Sequence, residues 1–256
     1  MGHNSMTQLV IECIGLGKVF GKRHAIRNVN LGVKQGSILG LVGSNGAGKT
    51  TLIRILATLV VPSSGTARIC GEDVVTGNSI EVRRQIGFMS SEERSFYWRL
   101  TGRRNLEFFA ALHRLNGAEA NRRIESLLAL LGLKEAASIP FRYYSTGMKQ
   151  ALGMARALLH DPPVLLLDEP TRSLSPDHAK PARDLIQRKA REEGKSVLVA
   201  SHNLNEVEDL CDEIVILHRG AIRATGALEC LRNQAGSSES GDLSDLFHYF
   251  THESMD

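Results

Sequence analysis

Gly43-Ser44-Asn45-Gly46-Ala47-Gly48-Lys49-Thr50-Thr51 fits the pattern G-x-x-x-x-G-K-S/T without a mismatch. A nucleoside triphosphate brings several negative charges, and a chain holds them by aiming backbone N–H groups and a helix N-terminus at them. Gly43, Gly46 and Gly48 let the backbone curl close to phosphates without Cβ clashes. Lys49 is placed to reach the β- and γ-phosphates, and the Thr50 hydroxyl to ligate Mg2+. Residues 37–42 before the loop read as a buried strand and residues 52–57 after it as a helix, the context this motif requires. The stretch is therefore read as a phosphate-binding loop.

Upstream, residues 9–33 hold short alternating apolar stretches broken by Gly15, Gly17, Gly21 and Gly32, which suggests a few antiparallel strands. Phe20 lies in the turn of the first hairpin, where it could stack on an adenine ring or make a core contact. Downstream, residues 62–65 are expected to stop the first helix, and residues 66–74 read as a small strand with a glycine turn. Residues 78–85 read as a short helix leading into a strand at 86–89. From Thr101 the periodicity turns helical, with Thr101 and Asn121 where N-caps would help. The helical stretch, about 91–143, has the size of an inserted subdomain. Phe96, Tyr97 and Trp98 within it read either as an exposed anchor for a partner or as subdomain core.

Beyond it, Tyr144-Ser145-Thr146-Gly147-Met148-Lys149-Gln150 opens a helix to Leu159. Val164-Leu165-Leu166-Leu167 is a continuous apolar run ending in Asp168-Glu169-Pro170, as a buried parallel strand delivering carboxylates to a site should be. A helix over 176–193 leads to a strand at 196–200 that ends in Ser201-His202. Alternating strands and helices predict a mostly parallel sheet with ligands at the carboxyl ends of its strands. From Gly236 the chain is rich in Ser, Gly and Asp and then aromatic at Phe247, Tyr249 and Phe250; this tail, 236–256, is expected to be flexible.

At 256 residues the chain suits one α/β domain with a small subdomain, and 42% hydrophobic residues fit an ordinary globular protein. It has no run of about 18 apolar residues that would span a bilayer. The first residues lack the apolar stretch of a signal peptide, so the chain is expected to stay in the cytosol. Cys13, Cys70, Cys211 and Cys230 are far apart and read as reduced packing residues. A net charge of +3 gives no argument for nucleic acid. Arginines concentrate between Arg83 and Arg123, where solvated helix faces account for most of them.

In order, these motifs resemble the ATP-binding subunit of an ABC transporter, over nearly the whole chain and with the domain at 7–235. The resemblance implies a P-loop NTPase fold of the ABC type: a mostly parallel α/β core sheet, an antiparallel β subdomain and an inserted α-helical subdomain. Residues 43–51 and Phe20 would bind ATP, Thr50 and Asp168 would hold Mg2+, Glu169 would polarise the attacking water, and His202 would sense the γ-phosphate. Ser145, Thr146, Gly147 and Met148 would form the signature that completes the site of a second ATPase subunit, identical or paralogous. A separate transmembrane permease would carry cargo, placing the chain on the inner face of the cell membrane. The absence of a fused membrane domain and the STGMKQ signature resemble ABC-2 type exporters of polysaccharides, lipid-linked glycans or hydrophobic small molecules. An importer subunit, or a soluble ATPase acting on a macromolecule, are the alternatives.

The sequence also departs from the family pattern. The signature is YSTGM rather than LSGGQ, and Ala151 stands where an arginine is usual. Ser91 or Glu92, depending on the alignment, replaces the glutamine that follows the strand at 86–89. Ser175 stands where the family has an aspartate, ahead of Pro176, where it reads chiefly as a helix N-cap.

Overall fold

The computed structural model describes residues 8–90, 95–236 and 241–252. Two long strands, β1 (Leu9–Phe20) and β2 (Arg23–Lys34), pair as an antiparallel hairpin. The chain then runs through the wholly buried β3 (Ile38–Val42) into the phosphate loop and α1 (Lys49–Leu56). Next come β4 (Ser64–Ile69), β5 (Glu72–Asp73), α2 (Ser79–Arg84) and β6 (Ile86–Met89). A helical region follows, with α3 (Gly102–Leu112), α4 (Gly117–Leu130), a 3-10 turn at Phe141–Tyr143 and α5 (Thr146–Leu158). The second half of the core is β7 (Val164–Asp168), α6 (Pro176–Arg191), β8 (Ser196–Ser201), α7 (Leu204–Leu210), β9 (Glu213–His218), β10 (Ala221–Gly226) and α8 (Leu228–Gln234). The last described element is α9 (Leu243–His252).

The strands form two sheets, one antiparallel in the order β2-β1-β4-β5 and one of six strands in the order β10-β9-β3-β8-β7-β6. Within the second, β9, β3, β8, β7 and β6 run parallel, and only the edge strand β10 is antiparallel. Strands of a parallel sheet are covered on both faces, which is why β3, β7 and β8 are buried along their whole length and mostly apolar. Leu165, Leu167, Val197 and Val199 face a core built with α3, α4, α5 and α6; their neighbours Val164, Leu166, Leu198 and Ala200 face one built with α1 and the antiparallel sheet. Gly40 lets α7 lie flat on β3, since a Cβ there would sit 2.4 Å from Val207 Cγ1 and 2.8 Å from Cys211 Sγ.

Several elements differ from the sequence reading. The first helix stops at Leu56, ahead of the expected Pro62-containing turn, because Thr58 already takes a left-handed conformation (φ 60°). Thr101 caps α3 as expected, but Asn116, not Asn121, caps α4, accepting from the Glu119 N–H at 2.8 Å. Phe96 is core, in ring contact with Phe109 and Phe141, whereas Tyr97 and Trp98 are exposed, Trp98 by 62%. Among the arginines between Arg83 and Arg123, Arg84, Arg103, Arg104 and Arg123 each pair with a nearby glutamate on the surface, an arrangement worth little in stability.

The largest difference is the tail. Residues 241–252, expected to be flexible, include a helix whose Leu243 and Leu246 are fully buried against Val207, Ile214, Ile216 and Leu231, with Phe247 and Phe250 packed beside them. These four side chains recur at i, i+3, i+4 and i+7, one face of a helix. The Glu208 carboxylate accepts from the Leu243 N–H at 3.1 Å and fastens the start of α9 to α7. Substituting Leu246 by Asp is expected to release α9 while the two sheets stay folded. Amide exchange across residues 243–252 should rise to that of an open segment, and unchanged protection there would show that other contacts hold the helix.

Helix α3 is tied to the core by a pair of histidines. His113 and His160 stack in parallel with ring centroids 3.7 Å apart, and His160 Nε2 lies 3.1 Å from the Ile86 carbonyl. The Ile86 contact makes Nε2–H the donor and leaves the buried Nδ1 without a partner, so a second proton would be an unsatisfied donor. Burial first, and His113 second, push the His160 pKa down to about 4 from 6.5. Between pH 6.5 and 4 the native ring stays neutral while the unfolded ring takes up a proton. Stability therefore falls as pH drops through this window, by at most about 3 kcal/mol. His160→Gln, which keeps a donor for Ile86, is expected to flatten this acid limb in melting temperature against pH; an undiminished limb would assign the loss to other groups.

Candidate active site

The parallel sheet brings the three chemical stretches together. β8 lies between β3 and β7, with Val42 opposite Ser201 and Asp168 opposite Ala200. The phosphate loop, the Asp168-Glu169 pair and Ser201-His202 thus leave the sheet from adjacent strands at the same end, about 4.8 Å apart per strand.

The loop closes tightly on α1. Gly48 has φ +115°, and a Cβ there would lie 2.5 Å from the Ala25 carbonyl, so glycine is required on two counts. No side chain caps α1, which leaves its first N–H groups for a ligand. Lys49 begins the helix and is 7% exposed; its ammonium donates to the Gly43 carbonyl at 2.5 Å. Burial lowers its pKa, and the Glu169 and Asp168 carboxylates work against that shift. The Thr50 hydroxyl donates to Asp168 Oδ2 at 3.1 Å, and Asp168 is buried at the end of β7.

Glu169 is the first residue past that strand. It has φ +56° ahead of a proline, two conformational restrictions at once, of order 1–3 kcal/mol of strain. Its N–H donates to the Ala200 carbonyl at 2.8 Å, and its carbonyl accepts from Gln150 Nε2 at 2.5 Å. Its side chain projects to His202, with Oε2 2.7 Å from Nδ1. One cavity of about 410 Å3 is lined by Phe20, Ser44, Asn45, Gly46, Ala47, Gly48, Lys49, Thr50, Thr51 and Glu169. Phe20 stands at its rim, 49% exposed, with Lys18 Nζ 4.8 Å from the ring centroid. Gly43 and Asp168 do not line this cavity but hold Lys49 and Thr50, respectively, through hydrogen bonds.

Sequence reasoning missed three contributors. Arg23 and Arg172 line the same cavity, and the Arg23 guanidinium lies 3.3 Å from the Gly46 carbonyl. Both were visible as cations within a few residues of Phe20 and Glu169. Glu206, 3% exposed, accepts from Thr171 Oγ1 at 2.5 Å and Ser201 Oγ at 3.2 Å, and so ties the turn after Glu169 to the strand end before His202. The signal for it is an acid in the first turn of the helix that follows His202.

The signature residues stand apart. Ser145 caps α5, its Oγ accepting from the Met148 N–H at 3.2 Å, and both Ser145 and Thr146 are exposed. Ser145, Gly147 and Met148 line a second cavity, of about 560 Å3, with Pro170, Ser173, Leu174, Ser175 and His178; none of them lines the phosphate-loop cavity. Ser175 occupies the N-cap position of α6 without capping it; its hydroxyl lies 2.8 Å from His178 Nδ1 instead. Ala151 is buried. Ser91 and Glu92 lie outside the described residues.

Known proteins resemble this chain in sequence and fold. The family model described as ABC transporter matches residues 26–172. The chain is 39% identical over 223 residues to the ABC transporter ATP-binding protein NatA of Bacillus subtilis, covering 87% of this chain and 89% of that protein. It is 40% identical over 213 residues to the bacitracin transport ATP-binding protein BcrA of Bacillus licheniformis, covering 83% and 68%. To the probable multidrug ABC transporter ATP-binding protein YbhF of Escherichia coli it is 36% identical over 235 residues, covering 92% of this chain and 40% of that one. Its fold matches a solved ATP-binding subunit of an ABC transporter with a TM-score of 0.87 at 30% identity, covering 95% of this chain and 99% of the other. It also matches a dimeric ATP-binding cassette bound to ADP and Pi, with a TM-score of 0.79 at 26% identity, covering 85% and 98%. On the family match and on relatives of this identity and coverage, the chain belongs to the ABC transporter family, as an ATP-binding subunit whose ATPase activity is coupled to transport.

Proposed function

We propose that this chain powers an exporter of hydrophobic small molecules from the inner face of the cell membrane, hydrolysing ATP in composite sites shared by two ATPase subunits. The observation that carries the composite site is the separation just described: the phosphate-loop cavity contains Glu169 but no signature residue. A second copy or a paralogue offers its Ser145 hydroxyl and Gly147 N–H, at the N-terminus of its α5, to the γ-phosphate held by the first. The relatives named for bacitracin and multidrug transport support the cargo class over polysaccharides and lipid-linked glycans. Among the described residues no helix is long and apolar enough to cross a membrane, so the cargo path is assigned to a separate permease. Exposed Tyr97 and Trp98 on the helical region are the proposed anchors for it.

In each site, the N–H groups of the phosphate loop and the Lys49 ammonium hold the β- and γ-phosphates, and Phe20 stacks on the base. Thr50 Oγ1 and the Asp168 carboxylate form an oxygen-only pair at the loop's edge, a donor set that fits Mg2+. Bound there with the nucleotide, Mg2+ would neutralise charge on the phosphate oxygens. Glu169 takes the proton of the attacking water, and His202, held by the Glu169 carboxylate, contacts the γ-phosphate. ATP binding closes the two subunits on each other; hydrolysis and product release open them.

Glu169→Gln keeps a partner for His202 but cannot accept the proton. Turnover is expected to fall by about 100-fold or more, with ATP binding retained and an ATP-dependent dimer accumulating on size-exclusion chromatography. Undiminished turnover would remove Glu169 from the role of base. The exporter reading is tested by purifying the chain from detergent-solubilised native membranes and identifying what accompanies it by mass. A polytopic membrane protein is expected, and recovery only with ribosomes, nucleic acid or no partner would sink the reading.

A further inference from the structure

The amide that joins Glu169 to Pro170 has no N–H, so a hydrogen bond can hold its orientation only through the Glu169 carbonyl. That carbonyl receives a short bond, 2.5 Å, from Gln150 Nε2, and a longer one, 3.3 Å, from the Arg172 N–H. Both partners of the short bond are buried, Gln150 at 5% and Glu169 at 8% exposure, so the bond has no competition from water. Glu169 also sits at φ +56°, a conformation that relaxes unless its surroundings hold it.

Gln150 belongs to α5, the helix that Ser145 caps and that carries the signature. The distance from Ser145 to Gln150 is about 7.5 Å along the helix axis, under one and a half turns of a rigid rod. One element therefore touches two half-sites: its N-terminus is offered to the nucleotide of the other subunit, and its first buried polar side chain grips the backbone of this subunit's own Glu169.

We infer that Gln150 is a positioning residue, which aims the Glu169 carboxylate and passes the engagement of the signature in one composite site to the base of the other. This rests on the assignment of Glu169 as base and of Ser145 as the signature contact. When a neighbouring nucleotide draws the N-terminus of α5 toward it, Gln150 moves with the helix, and the Glu169–Pro170 peptide follows. A dimer can then keep both bases out of line until both signatures are engaged.

The test is a double-mutant cycle on the full chain, reading steady-state ATPase activity. Gln150→Met keeps the length of the side chain and removes the donor. It is expected to lower kcat about tenfold to a hundredfold with KM and the melting temperature close to those of the unaltered chain. Ser145→Ala should also lower kcat, and the double variant should be no worse than the more severe single one, because both cut the same line. Losses that multiply, or a kcat left intact in Gln150→Met, would overturn the inference. Should Gln150→Met melt early, Gln150→Glu keeps it testable: its activity relative to the unaltered chain must rise as pH falls and the carboxyl regains a proton to donate, and a flat ratio would overturn it. Failure of the base assignment is read separately, by turnover in Glu169→Gln.

Discussion

The parallel pairing of β8 between β3 and β7 is the constraint on which the site depends. Fixing Val42 beside Ser201 and Asp168 beside Ala200 sets where the phosphate loop, the carboxylates and His202 emerge. A sheet of this kind must be covered on both faces, and three hydrophobic cores divide the work. α1 and the antiparallel sheet cover one face; α3 to α6, with α7 to α9 over β3 and β9, cover the other. The phosphate loop is pressed from behind by the first sheet, where the Ala25 carbonyl leaves no room for a Cβ at residue 48. The signature helix is pressed against the opposite face, in reach of the residue that follows β7.

Much of this was legible in the sequence because local pattern and global fold agree. The apolar runs at 164–167 and 197–200 are uniform rather than alternating, as strands buried on both faces must be, and each ends in the residues that reach the site. The glycines of 43–51 announce a backbone conformation that other residues cannot reach. What escaped notice depends on contacts between distant segments. Gln150 reads as an ordinary helix residue until the fold sets it against Glu169, and Glu206 as a surface acid until Thr171 and Ser201 converge on it. Helix α9 was hidden by the Ser/Gly/Asp-rich residues that precede it, although Leu243, Leu246, Phe247 and Phe250 carry a helical period. Asn121 has the right chemistry for a cap but lies inside α4, where Asn116 had already supplied one.

Glu206 and Gln150 both reach the same short turn, one through Thr171 and the other through the Glu169 carbonyl. The chain from Glu169 to Thr171 is thus clamped by a carboxylate on α7 and an amide on α5. Held this way, a strained backbone at Glu169 persists as part of the native structure, and its carboxylate keeps a fixed partner in His202. The histidine itself remains half exposed, on the open side of the pair.

Lys49 closes the account of the site from the other end. Its ammonium is not left bare, since the Gly43 carbonyl at 2.5 Å accepts from it within the loop. A phosphate bound there, as proposed, would exchange one set of oxygen partners for another instead of rescuing an isolated charge. The net gain on binding would be correspondingly tempered. A motor that must shed its spent fuel on every stroke is served by a grip that the empty hand can also close upon itself.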